Sequence, residues 1–339
     1  MKYFSSSVFL FPLVAKKFKI DFFIPALLLA IVIGKMFPQP ALYDGIVNFK
    51  TISNLGIFIV FLFYGIKLNL STLKRDIGNW KLHFIIQLST FLLFPLIVLP
   101  FVFYFKEQNT GLLWIGGFFL ATLPSTVSSS VVFISIAKGN IPSAIFNATF
   151  SSLAGIIFTP LWMSLIITSG NEATSSDFFS IILKLLTQVL IPLIIGMFLN
   201  RFFGKWAEKN NSSLRKIDQS VILLIVYLSF AKSFHENQFQ LVSIIDLLLT
   251  TFFCFLLLLI VYQIITFICY LLKLPKEDII TAQISGSNKS LIHGTVMSNL
   301  IFGGMVSVGL ILLPLMIYHS LQLIIMGIIA KRKHVYKGT

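Results

Sequence analysis

Apolar blocks of helix length, separated by short polar connections, recur along the whole chain. A helix needs roughly 20 mainly apolar residues to cross a bilayer. By that measure spans fall near 21–37, 51–68, 82–104, 112–137, 141–168, 178–200, 219–234, 246–272, 279–302 and 304–330. The pattern predicts an all-α polytopic membrane protein with ten transmembrane helices. Two of the blocks are interrupted by polar residues. Pro124-Ser125-Thr126-Val127-Ser128-Ser129-Ser130 breaks the fourth, and Gln283-Ile284-Ser285-Gly286-Ser287-Asn288-Lys289-Ser290 breaks the ninth. A membrane tolerates the backbone freed at such breaks only where protein or a water-filled cavity takes it up. Broken segments in matching positions of two halves point to a transporter's binding site.

Charge placement tests the count independently. If the N-terminus is inside, alternate connections should carry the basic residues. One set holds Lys16, Lys17 and Lys19, then Lys67, Lys74, Arg75 and Lys81, then Lys138. It continues with Arg201, Lys205, Lys209, Arg215 and Lys216, then Lys273 and Lys276, then Lys331, Arg332 and Lys333. The other set holds only Lys50, Lys106 and Lys232. Both termini are therefore expected in the cytoplasm. Two halves of five spans each must be inverted if they are repeats. Weak echoes agree: Ile24-Pro25 with Ile191-Pro192, and Thr159-Pro160-Leu161-Trp162-Met163 with Leu313-Pro314-Leu315-Met316-Ile317. Read singly, each echo is an ordinary proline kink.

Composition narrows the class. The chain is 57% hydrophobic and 11% charged, which excludes an ordinary soluble domain. Its net charge of +14 sits between apolar blocks, as orientation signals do, so no nucleic-acid partner is expected. Val8 to Ala15 resembles a signal sequence, but Lys16, Lys17 and Lys19 follow it, the wrong flank for export. That stretch reads as a cytoplasmic or interfacial lead-in. Cys254 and Cys269 share one apolar block and make no disulfide framework.

No carboxylate falls at mid-membrane, so acid–base catalysis and an Asp-based proton relay have no carrier there. The five histidines form no metal-binding spacing, and no hydrolytic serine arrangement is present. No enzyme activity and no resident cofactor are expected. Neutral oxygens and amides remain. Unwound backbone carbonyls and hydroxyls hold Na⁺, while half-helix N-termini attract an anionic group. Ser128, Ser129 and Ser130 offer hydroxyls. Ser143 and Asn147, four apart, share a helix face, with Gln283, Ser287 and Asn288 as counterparts. An isolated Ser in a span more simply lets helices pack closely; the clusters at the breaks favour a site. Lys289 is the sharpest feature, because an ionisable residue at that depth is a functional hypothesis by default. Three roles compete for it: a built-in cation in place of sodium, a titrating group, or the contact for an anionic substrate. Lys184 reads as a boundary charge.

Pro124 to Ser130, Ala137-Lys138-Gly139-Asn140 and Phe158-Thr159-Pro160 together resemble the bile acid:sodium symporter family. The resemblance covers all ten spans. Phe63-Tyr64-Gly65-Ile66-Lys67-Leu68, Lys81-Leu82-His83 and Lys289-Ser290-Leu291 resemble the divergent branch that holds the seventh vertebrate paralogue and its bacterial relatives. The resemblance implies one transporter unit over 1–339. Its panel part would be 21–68 and 178–234, and its core part 82–168 and 246–330. Helices four and nine would cross at their breaks and move by an elevator-like step. Pro124, Ser125, Thr126, Ser285, Gly286, Asn288, Lys289 and Ser290 would form the crossover and substrate site. In bacterial relatives two sodium ions bind behind this crossing. By position, Ser129 or Ser130, Ser143 and Asn147 match the first, while Gln283, Ser287 and Thr90 or Gln87 match the second.

Departures accompany the match. Gln283 stands where the family carries a glutamate, and Lys289 where it carries a small residue. A lysine beside two cation sites repels at least one of them by several kcal/mol if poorly screened. That argues against two-sodium coupling and against a bile acid as substrate. The expectation is a secondary transporter of the inner membrane for a small organic anion or amphipathic solute, with Na⁺ as coupling ion. Alternatives are a proton-coupled or uncoupled exchanger, a non-transporting membrane regulator, and a passive channel.

Overall fold

The computed structural model describes residues 23–43, 49–67, 76, 78–105, 107–108, 110–167, 183, 186–302 and 308–336. Among them there is no strand. With no water at membrane depth to satisfy a backbone N–H or C=O, an apolar segment must bond within itself, and helix is the solution open to a single segment. The longer helices are α1 (Phe23–Met36), α2 (Phe49–Ile66), α3 (Trp80–Phe105), α4 (Gly111–Thr122), α5 (Ser128–Ile136) and α6 (Ile141–Ile167). They continue with α7 (Ile191–Lys209), α8 (Asn211–His235), α9 (Ile244–Leu271), α10 (Lys276–Ser287), α11 (Leu291–Phe302) and α12 (Val308–Tyr336). Seven helices are long and apolar enough to cross a membrane, among the described residues; α1 and α4 are shorter apolar helices. The chain is a polytopic membrane protein.

Local sequence sets several of the ends. Ser243 and Asp246 form a reciprocal capping box at the start of α9, so the first N–H groups of that helix have acceptors. A π-helical turn, Ser89–Leu93, interrupts α3. Another, Leu186–Leu190, precedes α7. The expected breaks at Pro124 and near 285–290 are present: no helix runs through 123–127 or 288–290.

One expectation needs correction. The basic stretch 201–218 is a connection on hydropathy, yet α7 runs on to Lys209 and α8 begins at Asn211, so they meet at Asn210. Lys, Arg, Glu, Ala and Trp are adequate helix formers, and hydropathy marks where the bilayer ends rather than where the helix does. Residues 1–22 and Lys184 lie outside the described residues.

Helices α1, α2, α7 and α8 pack largely on one another, while α4 packs on α3 and α12, and α9 on α10 and α12. Where α2 meets α7, Gly65 and Gly196 stand face to face: a Cβ on either would lie 2.2 Å from a carbonyl oxygen of the other helix. Only glycine permits that approach. Just beyond, Lys67 Nζ meets Asp218 Oδ2 of α8 at 3.0 Å, and Asn200 donates to Ile66 O at 2.6 Å. Outward, the surface is apolar; Phe198 is 76% exposed, Phe202 75% and Ile244 75%. Inward, it is polar around the breaks. Ser125, Ser130, Ser143, Asn147, Ser285, Ser287, Asn288 and Lys289 are all fully buried. A polar interior inside an apolar shell is costly unless its groups are paired, so the pairing is where function is read.

Candidate functional site

The two breaks meet. Ser290 N–H donates to Pro124 O at 2.9 Å, the Ser125 hydroxyl donates to Ser285 O at 2.6 Å, and Asn288 Nδ2 donates to Ser130 Oγ at 2.9 Å. Each interrupted segment thus supplies donors for the other. Gly155 of α6 presses on the ring of Pro124, leaving a Cβ only 2.9 Å from it. Gly286 likewise admits Ile265 of α9, whose Cδ1 would lie 2.8 Å from a Cβ.

A helix leaves its last four carbonyls without internal donors, and at the end of α4 every one is answered. Phe119 O accepts from the Thr122 hydroxyl at 2.8 Å, and Leu120 O from Leu123 N–H at 3.3 Å. Thr122 O accepts from Thr159 Oγ1 at 2.8 Å. Ala121 O and, past the helix, Leu123 O accept from the ammonium of Lys289, at 2.7 and 2.8 Å. At the other break, Ser287 Oγ donates to Gln283 O and Tyr318 Oη to Ser287 O at 2.6 Å. Gln322 of α12 serves both backbone groups of Lys289, its Oε1 accepting from the N–H at 2.8 Å and its Nε2 donating to the C=O at 2.9 Å. Tyr318→Phe should therefore cost ~1–2 kcal/mol, read as a lower melting temperature; an unchanged value would show that Ser287 O has another donor.

The third acceptor of Lys289 comes from α3. Its Nζ donates to Thr90 O at 2.8 Å, and the ring of Phe94 lies 4.1 Å from it. In the π-helical turn Phe94 N–H bonds Ser89 O. The next donor in that register would be residue 95, a proline without an N–H. Thr90 O is thereby released to the lysine.

The remaining predicted residues fall into smaller groups. Asn147 Nδ2 donates to Ser143 O and contacts His83 Nδ1, both at 2.8 Å. Gln87 Nε2 donates to Asn147 Oδ1 at 3.0 Å, so Gln87 joins Asn147 rather than Gln283. Gln283 Nε2 donates to Thr266 Oγ1 at 2.7 Å, and its Oε1 accepts from Lys333. The Thr90 hydroxyl turns back to Ile86 O at 2.8 Å, leaving only its carbonyl at the crossing. Ser129 Oγ lies 3.5 Å from Thr126 Oγ1. Ser290 Oγ accepts from His293 N–H at 3.3 Å, capping α11, and lies 2.9 Å from His293 Nδ1.

Among the described residues, several buried oxygens of these segments have no protein partner: Asn288 Oδ1, Ser285 Oγ and Ser89 Oγ, and in the group around Asn147 Ser143 Oγ and Gln87 Oε1. Such atoms suit a hard monovalent cation, which binds neutral oxygens. Among the described residues, no three of His, Cys, Asp and Glu stand close enough to hold a metal.

Reading the residues missed Gln322, Tyr318, Thr159, Ser151 and Pro95. The signal was present for two of them: Tyr318 and Gln322 are polar residues inside an apolar run, four apart and so on one helix face. Ser151 Oγ accepts from Ser125 N–H at 2.9 Å, and nothing in its spacing announces it.

Known proteins resemble this chain over most of its length. Residues 21–334 match the SBF-like CPA transporter family. Protein PA2026 of Pseudomonas aeruginosa is 35% identical over 286 residues, 84% of this chain and 85% of that one. YfeH of Escherichia coli is 32% identical over 318 residues, 94% of each chain. Sodium/bile acid cotransporter 7 of Rattus norvegicus is 27% identical over 312 residues, 90% of each chain. These comparisons point to transport rather than enzymatic catalysis. A crossing of two interrupted helices, buried in a polytopic helical shell and matched along nearly its whole length, makes this chain a member of the SBF-like CPA transporter family.

Proposed function

We propose that this protein is a secondary active transporter that moves a small organic anion or amphipathic solute across the inner membrane by alternating access. The observation that carries the proposal is the reciprocal bonding of the two breaks, Ser290 to Pro124 and Ser125 to Ser285. It concentrates buried polar groups and two half-helix N-termini, those of α5 and α11, at one place, and such ends favour an anionic group. In this reading the chain crosses the membrane ten times, as two inverted halves with both termini in the cytoplasm.

Helices α1, α2, α7 and α8 form the panel, and the rest form a core that slides against it. Among the described residues, polar bonds across that seam include Tyr64 Oη to Ser152 Oγ at 2.9 Å and Gly309 N–H to Ser233 Oγ at 3.1 Å. Coupling is to Na⁺, held by Ser130, Ser143, Asn147 and Asn288. The orphaned Ser143 Oγ and Asn288 Oδ1 support it. A bile acid is named for the rat relative; the anion carried here is a proposal of class only.

The test has two arms. A ligand that binds only the folded state raises stability by mass action. The melting temperature of the purified protein should therefore rise saturably with NaCl against choline chloride at constant ionic strength, and Ser143→Ala should flatten the rise. A flat wild-type response removes sodium from the proposal. In proteoliposomes, counterflow of labelled organic anions, with taurocholate among the probes, should be saturable. Absence of counterflow for every probe would favour a regulator that keeps the fold without transporting.

A further inference from the structure

The crossing contains a lysine whose surroundings are those of a bound ion. Lys289 is fully buried, and among the described residues no carboxylate pairs with it. Its Nζ donates to three backbone carbonyls, Thr90 O, Ala121 O and Leu123 O, at 2.7–2.8 Å. A Phe94 ring completes the shell at 4.1 Å. An ammonium has three donors and no acceptor, so three acceptors match it donor for donor; a neutral amine would leave one carbonyl unanswered. Rings of backbone carbonyls replace an ion's hydration shell in selectivity filters, and an aromatic face attracts a cation electrostatically.

The carbonyls are there for reasons that do not involve the lysine. Ala121 O belongs to the orphaned C-terminal turn of α4, the negative end of its dipole, and Leu123 O follows directly in the break. Thr90 O is freed by the π-helical turn and by Pro95. Two helices, α3 and α4 with the break that follows it, thus point three oxygens at one spot, and the lysine side chain reaches it from the opposite break.

We infer that Thr90 O, Ala121 O and Leu123 O form a monovalent-cation site permanently occupied by the protein's own ammonium, Lys289. The site is separate from the neutral oxygens of Ser143 and Asn288, and it does not depend on whether the protein transports. Its consequence is that one positive charge at the crossing travels with the protein and never exchanges with solution. An anionic substrate would then meet a fixed cation beside the half-helix N-termini.

Removing the side chain should uncover a site for a free ion. Lys289→Ala leaves the carbonyls and opens space, whereas Lys289→Met fills the space without charge. The probe is methylammonium chloride, titrated against choline chloride at constant ionic strength and without sodium, with melting temperature as readout. Lys289→Ala should melt below wild type in choline, then rise by at least ~3 °C at saturating methylammonium. Wild type and Lys289→Met should each stay within ~1 °C of their choline values. A Lys289→Ala protein that responds no more than Lys289→Met overturns the inference. So does one that cannot be recovered folded in either salt, because the three carbonyls would then not stand as a site without the lysine. A sodium response in wild type leaves this result unaffected, so the two proposals fail separately.

Discussion

Gln322→Leu should lower the melting temperature of the detergent-purified protein by roughly 5–10 °C, one of the two largest losses expected from a single side chain. Gln322 is fully buried, and its amide answers both the N–H and the C=O of Lys289 in the break. Leucine keeps most of the volume and removes both partners. Each buried backbone group left unsatisfied costs ~1–3 kcal/mol, and no bulk water is at hand to replace the amide. Gln322→Glu separates the two contributions, since its carboxylate still accepts from the N–H but no longer donates to the C=O. It should fall between wild type and leucine if it stays ionised or protonates outward. A leucine variant within ~1 °C of wild type would mean that the backbone of Lys289 finds partners elsewhere, and that the break is not braced by α12.

Gly65→Ala should be at least as damaging, for a reason that involves no hydrogen bond. An ideal Cβ at Gly65 would lie 2.2 Å from Leu193 O and 2.9 Å from Gly196 Cα. The reciprocal Cβ at Gly196 would lie 2.2 Å from Leu62 O and 2.9 Å from Gly65 Cα. These neighbours are backbone and have no rotamer to change, so α2 and α7 must separate. Overpacking ordinarily costs ~1–3 kcal/mol, and a helix-on-helix displacement belongs at or above the top of that range. The expected readout is loss of the monodisperse peak in size-exclusion chromatography, or a fall in melting temperature of more than about 5 °C. Gly117→Ala is the control, because its Cβ would meet only Phe253 Cε1 at 3.8 Å, an ordinary contact. If Gly65→Ala behaved like Gly117→Ala, the α2–α7 crossing would be wrong.

Both predictions concern residues that the chain read alone did not single out for these roles. Gln322 sits in an apolar run, and its sequence neighbours give no hint that it reaches a backbone 33 positions earlier. Gly65 appeared only inside the resemblance of Phe63 to Leu68, with no role of its own. The breaks themselves were legible because hydroxyl, amide and glycine residues stand out inside apolar blocks, and a bilayer makes every such residue conspicuous. The same contrast overreached at 201–218. There the loss of hydropathy suggested a connection, while α7 and α8 continued as helix through most of it.

The second set of sodium candidates shows a further limit. Gln87, Thr90, Gln283 and Ser287 were grouped by resemblance, yet hydrogen bonding takes Gln87 to Asn147 and Gln283 to Thr266 and Lys333. Thr90 contributes a carbonyl to Lys289 instead of a hydroxyl. A resemblance transfers positions. It does not transfer the rotamers and partners that decide which atom of a residue faces a site.

The sequence alone determined that this is a helical membrane protein with two interrupted segments and a lysine in one of them. Hydropathy and charge are sums over neighbouring residues, so a single chain displays them fully. Only the tertiary structure decided what the lysine touches. Its three acceptors come from residues 166 to 199 positions away, and they are backbone atoms, which every residue carries alike. One is free because Pro95 lacks an N–H, another because α4 ends where it does. A carbonyl becomes a ligand through the helix end or proline that releases it and the fold that aims it.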